Sequence, residues 1–341
     1  MIWTLIIIAV AVALATAVLV WVARVLLLRL EILDRPNDRS SHIVPTPRGG
    51  GLGLMAVLLP TWLIISISTS GMNQIAVWAI PLVALLLATV SWVDDLRTLG
   101  ALPRLGVQFV ATIAGVLMLP GLVFQGLLPP WLDATLVTIG WIWFVNLFNF
   151  MDGIDGISGV EAISIGIGIL LVGLVTTGGL TAIHLHGLVI AAAALGFLVW
   201  NWPPAKIFLG EIGSVPLGYL LGWLLLALAA SGQWEAALIL PLYYLADATL
   251  TLLQRLRRGE KVWQAHRGHF YQQAVQNGRT HGQVSTAVGL INAVLIVLAV
   301  TATTVPTSSV WQYVTLAGAV LLVVLLLVWM KRRTFTANNH G

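Results

Sequence analysis

The sequence has 341 residues, of which 59% are hydrophobic and only 9% charged, with a mean hydropathy of +0.96 and a formal net charge of +4. A soluble domain with so little charge could not cover its surface, so lipid is the expected solvent for most of the chain. The basic residues are scattered through short segments, which argues against nucleic acid as a partner, and the absence of cysteine excludes a disulfide framework, a thiolate nucleophile and a cysteine metal site.

A spanning helix needs about 20 apolar residues. That rule gives eleven candidates, at 2–28, 50–69, 75–92, 105–121, 134–150, 159–177, 182–200, 215–230, 235–254, 284–304 and 311–330. Ala13-Leu14-Ala15 resembles a peptidase site, but no basic segment precedes it and the apolar run continues to Leu28, so the first candidate reads as a retained helix. Lysine and arginine then set the orientation. With the N-terminus outside, the inner segments are 29–49, 93–104, 151–158, 201–214, 255–283 and 331–341. They hold 16 of the 17 basic residues, and Arg24 sits near the inner end of the first helix. The fold expected is all-α and polytopic, with about eleven helices, the N-terminus outside and the C-terminus inside. No inverted repeat is evident, so 1–341 is read as one domain.

The acids gather at the same face: Glu31, Asp34, Asp38, Asp94, Asp95, Asp152, Asp155, Glu211 and Glu260 lie in or at the inner segments. Asp133 and Glu235 fall on the outer side, and Glu161 and Asp247 within or at the edge of helices. The first inner segment, running from Asp34 through Asp38-Arg39-Ser40-Ser41-His42 to Arg48-Gly49-Gly50-Gly51, offers arginines, hydroxyls and glycine amides to phosphate oxygens. The alternative is a basic loop followed by a close-packed helix start. The second opens on adjacent carboxylates, Asp94-Asp95, followed by Arg97 and Arg104.

The third segment is the most informative. Asn146, Asn149 and Asp152 are spaced three apart and form one polar strip on a helix. Gly153 and Gly156 loosen that helix and leave Asp152 and Asp155 at its mouth. Amides and carboxylates closing an apolar run are costly unless they serve a function. In the fourth segment glycines flank Glu211 just before another helix, and the fifth carries Ala265-His266-Arg267-Gly268-His269-Phe270-Tyr271. On the outer side His184 and His186 look like a metal pair but lack a supporting carboxylate, and they read as loop residues.

Five separated segments thus converge on one face. Acid clusters with few imidazole companions suit a hard cation such as Mg²⁺, which takes one or two carboxylates plus substrate phosphates. The inference is a Mg²⁺-phosphate reaction at the inner surface, with the helices forming a groove for a lipid.

Four ordered motifs carry a resemblance: Asp94-Asp95; Asn146-x-x-Asn149-x-x-Asp152-Gly-x-Asp155-Gly; Phe208-x-Gly210-Glu211-x-Gly213-Ser214; and Ala265-His266-Arg267-x-His269-x-Tyr271-Gln272. Over nearly its whole length the chain resembles the polyprenyl-phosphate N-acetylhexosamine-1-phosphate transferases, glycosyltransferase family 4. The fifth segment and the Arg39-Ser40-Ser41-His42 run look closest to the O-antigen-initiating branch, with UDP-N-acetylfucosamine-type or UDP-N-acetylglucosamine donors. The resemblance implies transfer of a sugar-1-phosphate from a UDP-N-acetylhexosamine to undecaprenyl phosphate, with release of UMP. This would be the first membrane step of a surface polysaccharide, in a bacterial cytoplasmic membrane with the site facing the cytoplasm.

It also implies Mg²⁺, with Mn²⁺ as a substitute, held by Asp155 and Glu211. Asp94 and Asp95 would sit at the acceptor phosphate and Asn149 and Asp152 at the nucleotide. Arg48, His266, Arg267 and His269 would lie near the sugar and phosphates. The catalytic candidates are therefore Asp94, Asp95 and Asp152. Membrane lipid is the other expected partner, and a homodimer is left open. One position departs from the pattern, because the family carries Asp where this chain has Glu211. The rival class is a transporter or lipid-carrier-binding protein, with Asp247 as its intramembrane ionisable residue.

Overall fold

The computed structural model describes residues 2–36, 42, 44–97, 99–176, 180–261, 266–304 and 310–333. Asp38, Arg39, Ser40, Ser41 and Ala265, named above, lie outside the described residues. The chain opens with α1 (Ile2–Arg29), followed by a minimal antiparallel pair, β1 (Leu33–Asp34) and β2 (Thr46–Pro47). Helices follow: α2 (Gly51–Ser70), α3 (Ile75–Arg97), α4 (Ala101–Val116), α5 (Pro130–Phe150), α6 (Ile157–Thr176), α7 (Ala182–Asn201) and α8 (Glu211–Ala230). Then come α9 (Trp234–Ile239), α10 (Leu242–Arg257), α11 (Phe270–Gln276), α12 (His281–Thr304) and α13 (Val310–Lys331).

Nine of these, among the described residues, are long and apolar enough to cross a membrane: α1, α2, α3, α5, α6, α7, α8, α12 and α13. The other two expected spans take different forms. The segment expected at 105–121 is the 16-residue α4, about 24 Å long at 1.5 Å per residue and so short of a hydrocarbon core of about 30 Å. The segment expected at 235–254 is divided between α9 and α10. Pro241 stands at the division, and with no N–H it cannot donate to the carbonyl four residues back.

Burial ranks the helices. Of the apolar window of α8, 89% is buried, against 17% for α1. The central α8 packs on α2, α3, α5, α6 and α7, while α1 lies outside against α2 and α7. Close approach at the first turn of α8 depends on two glycines. A Cβ on Gly51 would overlap the backbone of Gly213, so the starts of α2 and α8 touch main chain to main chain.

Two expectations change with the side chains in place. His184 and His186 are not loop residues but are buried near the start of α7. The Thr181 N–H donates to His184 Nδ1 at 3.0 Å, and His186 stacks on Trp62 at 3.9 Å with Nε2 3.1 Å from Ser66 Oγ. They point to different helices because residues two apart lie on opposite sides of a helix. Asp247, the intramembrane ionisable residue of the transporter reading, is fully buried and accepts several hydrogen bonds. Glu161, a fully buried acid of α6, accepts from Asn292 Nδ2 on α12 at 2.7 Å.

Candidate active site

The ends of α5 and α7, the starts of α8, α11 and α12, and the segments around β1 and β2 meet at one end of the bundle. There they enclose a cavity of about 340 Å³. Its walls include Asp34, His42, Arg48, Asn149, Asp152, Asp155, Asn201, Glu211, Gln272 and His281.

The turn after α5 supplies its floor. Asp152 is half-buried in the cavity wall, and among the described residues it makes no ion pair. Burial pushes its carboxyl up to about 7. The Ser158 hydroxyl and the Arg48 guanidinium pull the other way, and Asp95 and Asp155 add to the rise. Asp155 is held on both oxygens, Oδ1 lying 3.2 Å from His281 Nδ1 and Oδ2 accepting the Ala205 N–H at 3.0 Å. Asn149 Oδ1 accepts from the Ser214 hydroxyl, 2.6 Å away at the start of α8. The turn needs glycine at 153, because a Cβ there would collide with the Tyr271 hydroxyl, which donates to the Phe150 carbonyl at 2.9 Å.

Glu211 opens α8 and forms the facing wall. Arg104 Nη1 bridges two carboxylates, lying 2.9 Å from Asp94 Oδ2 and 3.1 Å from Glu211 Oε1, while Arg48 Nη2 is 3.9 Å from Glu211. Asp95 pairs with Arg48 Nε at 2.9 Å and accepts the N–H groups of Glu211 and Ile212 at 3.1 and 3.0 Å. Asp95 therefore caps α8 from α3, satisfying donors that a helix start leaves open. The N–H groups of Gly49 and Gly50 donate to the Phe208 carbonyl and that of Gly51 to the Leu209 carbonyl. The glycine run is thus engaged by main chain, which is the close-packed alternative among the two readings of that segment.

Of the residues singled out from sequence, Arg48, Asn149, Asp152, Asp155 and Glu211 line the cavity. Asp94 and Asp95 stand one layer behind, joined to it through Arg104 and Arg48. His266, Arg267 and His269 are not among the lining residues. His266 stacks on His269 with centroids 4.9 Å apart, and its Nδ1 accepts the Gly268 N–H at 3.0 Å. Burial, reinforced by the charges of His269 and Arg255, holds His266 down at about 4 and so neutral at pH 7.

Sequence reasoning missed His281 and Asn201, and it gave no role to Gln272, which closes the fourth motif. His281 opens α12, and its signal was a single imidazole at the edge of an apolar run in a segment already assigned to this face. Asn201 closes α7, its Oδ1 accepting the Gly156 N–H and its Nδ2 donating to the Ile207 carbonyl, both at 2.9 Å.

A metal can be tested against these donors. Among the described residues no three His, Asp or Glu side chains form a ready cluster. The cavity nevertheless offers carboxylate oxygens from Asp152, Asp155 and Glu211, the first without a cationic partner. That donor set fits a hard cation that completes its shell with water and substrate phosphate.

Comparison with known proteins points the same way. The family described as glycosyl transferase family 4 matches residues 77–229, a stretch that includes Asp94, Asp152, Asp155 and Glu211. A probable undecaprenyl-phosphate N-acetylglucosaminyl 1-phosphate transferase of Bacillus subtilis is 24% identical over 316 residues, covering 89% of this chain and 84% of its own. A decaprenyl-phosphate N-acetylglucosaminephosphotransferase of Mycolicibacterium smegmatis is 26% identical, covering 76% of this chain and 72% of its own. An undecaprenyl-phosphate alpha-N-acetylglucosaminyl 1-phosphate transferase of Salmonella typhimurium is 26% identical, with 84% and 81% covered. These matches agree with the carboxylates gathered on one cavity: the chain is similar to polyprenyl-phosphate N-acetylglucosamine-1-phosphate transferases.

Proposed function

We propose that this protein transfers N-acetylhexosamine-1-phosphate from a UDP-sugar to undecaprenyl phosphate, releasing UMP, at the cytoplasmic face of a bacterial membrane. The orientation rests on the basic residues, which gather at the charged end of the bundle. The observation that carries the reading is the cavity wall of Asp152, Asp155 and Glu211 backed by Arg48 and Arg104. Such a wall suits a reaction between two anionic phosphates, where charge must be cancelled before bonds can change.

Mg²⁺ is the cofactor in this reading, with Asp155 and Glu211 as the residues that would hold it and Asp152 beside them. When bound it supplies positive charge to the donor diphosphate. Arg48 faces the same cavity and binds phosphate oxygens from the other side. Asn149, fixed by Ser214, orients the nucleotide. A phosphate oxygen of the lipid attacks the β-phosphorus of the UDP-sugar. The bond from that phosphorus to the oxygen bridging the α-phosphate breaks, and UMP leaves.

A phosphate monoester loses its second proton near pH ~6, so the nucleophile is already largely ionised at neutral pH. Asp94 is bonded to Arg104 and to the Leu99 N–H. It is thereby suited to orient Arg104 toward the acceptor phosphate rather than to take a proton. Among O-antigen-type donors, UDP-N-acetylglucosamine and UDP-N-acetylfucosamine are the first to try.

The test is UMP release by purified protein from a panel of UDP-N-acetylhexosamines, with and without undecaprenyl phosphate and Mg²⁺. Release that requires both the lipid and one donor supports the reading and names the sugar. No release with any donor would sink it and restore the transporter.

A further inference from the structure

Asp247 lies within α10, fully buried and outside the cavity wall. Five donors converge on its two oxygens. Oδ1 accepts from the Phe270 N–H at 2.9 Å, His269 Nδ1 at 3.2 Å and the Thr251 hydroxyl at 3.3 Å. Oδ2 accepts from the Tyr271 N–H at 3.1 Å and the Tyr243 hydroxyl at 3.3 Å. Two of the five are the opening amides of α11, which a helix start leaves without partners of its own. A carboxylate from another helix therefore fixes where α11 begins and how it is turned.

What α11 carries makes that placement matter. Tyr271 donates its hydroxyl to the Phe150 carbonyl and so ties α11 to the turn that bears Asp152. Gln272 reaches the cavity wall, and its Oε1 accepts the His269 N–H at 3.3 Å, which leaves Nε2 as the donor for a ligand.

We infer that Asp247 is a positioning residue for the donor substrate: by holding the first turn of α11 it sets Gln272 Nε2 against the nucleoside-diphosphate sugar. The inference rests on the transferase reading above. Asparagine at 247 would not reproduce this hold. Its amide nitrogen must face either the Phe270 or the Tyr271 N–H, setting donor against donor in a buried place.

The experiment compares Asp247→Asn, Gln272→Ala and the double variant in the full-length protein, measuring UMP release against donor and acceptor concentration separately. Each single change should raise the donor KM about tenfold or more, with a smaller change in kcat and none in the acceptor KM. The double variant should be no worse than the worse single one, because both remove the same contact. Independent, multiplying losses, or an equal rise in the acceptor KM, would overturn the inference.

Hydrogen exchange gives a readout that needs no turnover. The amides of Phe270 and Tyr271 should exchange faster in Asp247→Asn while those of α8 do not, and unchanged rates would overturn the tie. Wild-type protein without any UMP release would instead sink the transferase reading and, with it, the role toward the donor. If Asp247→Asn does not fold, Tyr271→Phe cuts the link to Phe150 with Asp247 intact. It should raise the donor KM with a fall of only a few degrees in melting temperature, and an unchanged donor KM would overturn the inference.

Discussion

The bundle has a cavity at each end, and chemistry separates them where size misleads. The one at the charged end is about 340 Å³ and lined by Asp34, Arg48, Asp152, Asp155, Glu211 and His281 among others. The opposite one is about 690 Å³. Trp62, Ser66, Gln74, His184, His186 and Trp223 contribute to its wall, and its described lining includes no Asp, Glu, Lys or Arg. Near that end Asp133 serves the backbone: it accepts the Phe124 N–H at 2.8 Å and the Val123 N–H at 3.4 Å, bracing a turn. A helix bundle can close an end with hydroxyls, imidazoles and caps alone. Charge held in a pocket wall, at a desolvation cost, is what marks the smaller cavity as the place for an ionic ligand.

Breaking that contrast at its strongest point means removing charge from the smaller cavity. Asp155→Asn should lower UMP release by about 10²–10³-fold, the scale seen when one electrostatic stabiliser of a transition state is lost. A smaller effect comes with pH. With its carboxyl pushed up to about 7, Asp152 is protonated below that pH and charged above it. If the charged form is required, kcat/KM for UMP release should be about tenfold lower at pH 6 than at pH 8. The inflection should fall near 7. An inflection near 6 instead would report the lipid phosphate's own second proton.

Glu211→Asp should cost about fivefold, because the shorter side chain gives up Arg104, a half-exposed ion pair worth on the order of 1 kcal/mol. A faster variant would mark Glu211 as a handicap. The contrast is sharpened by a change at the other end. His186→Phe should leave UMP release as it is and lower the melting temperature by only a few degrees, the scale of one buried hydrogen bond of about 1 kcal/mol.

Much of this plan could be read from the chain. Apolar runs gave the long helices, and the position of basic residues gathered the acids at one end before any coordinates. Where reading failed, the missing information was spatial. Pro241 was visible inside the ninth apolar run, yet whether a proline kinks or divides a helix depends on what packs around it. Gly49, Gly50 and Gly51 looked like phosphate-binding amides until Phe208 and Leu209, far along the chain, were found to accept their hydrogen bonds. His281 meets Asp155 across 126 positions, a separation that no local motif encodes. Asp247 reads as an isolated membrane acid because its five donors come from two helices and the loop between them.

The glycine segment has one more consequence. Phe208 donates to the Pro47 carbonyl, and the three glycine amides return bonds to Phe208 and Leu209, while Gly51 and Gly213 touch backbone to backbone. This side of the cavity is stiff main chain, stitched across two distant parts of the sequence, with little compliance to offer an arriving sugar. Fit on that side must come from the substrate adapting to the wall. In the proposed reaction, selectivity among closely similar sugars is then a matter of side-chain atoms on the opposite rim, and changing it calls for substitution there rather than for remodelling loops.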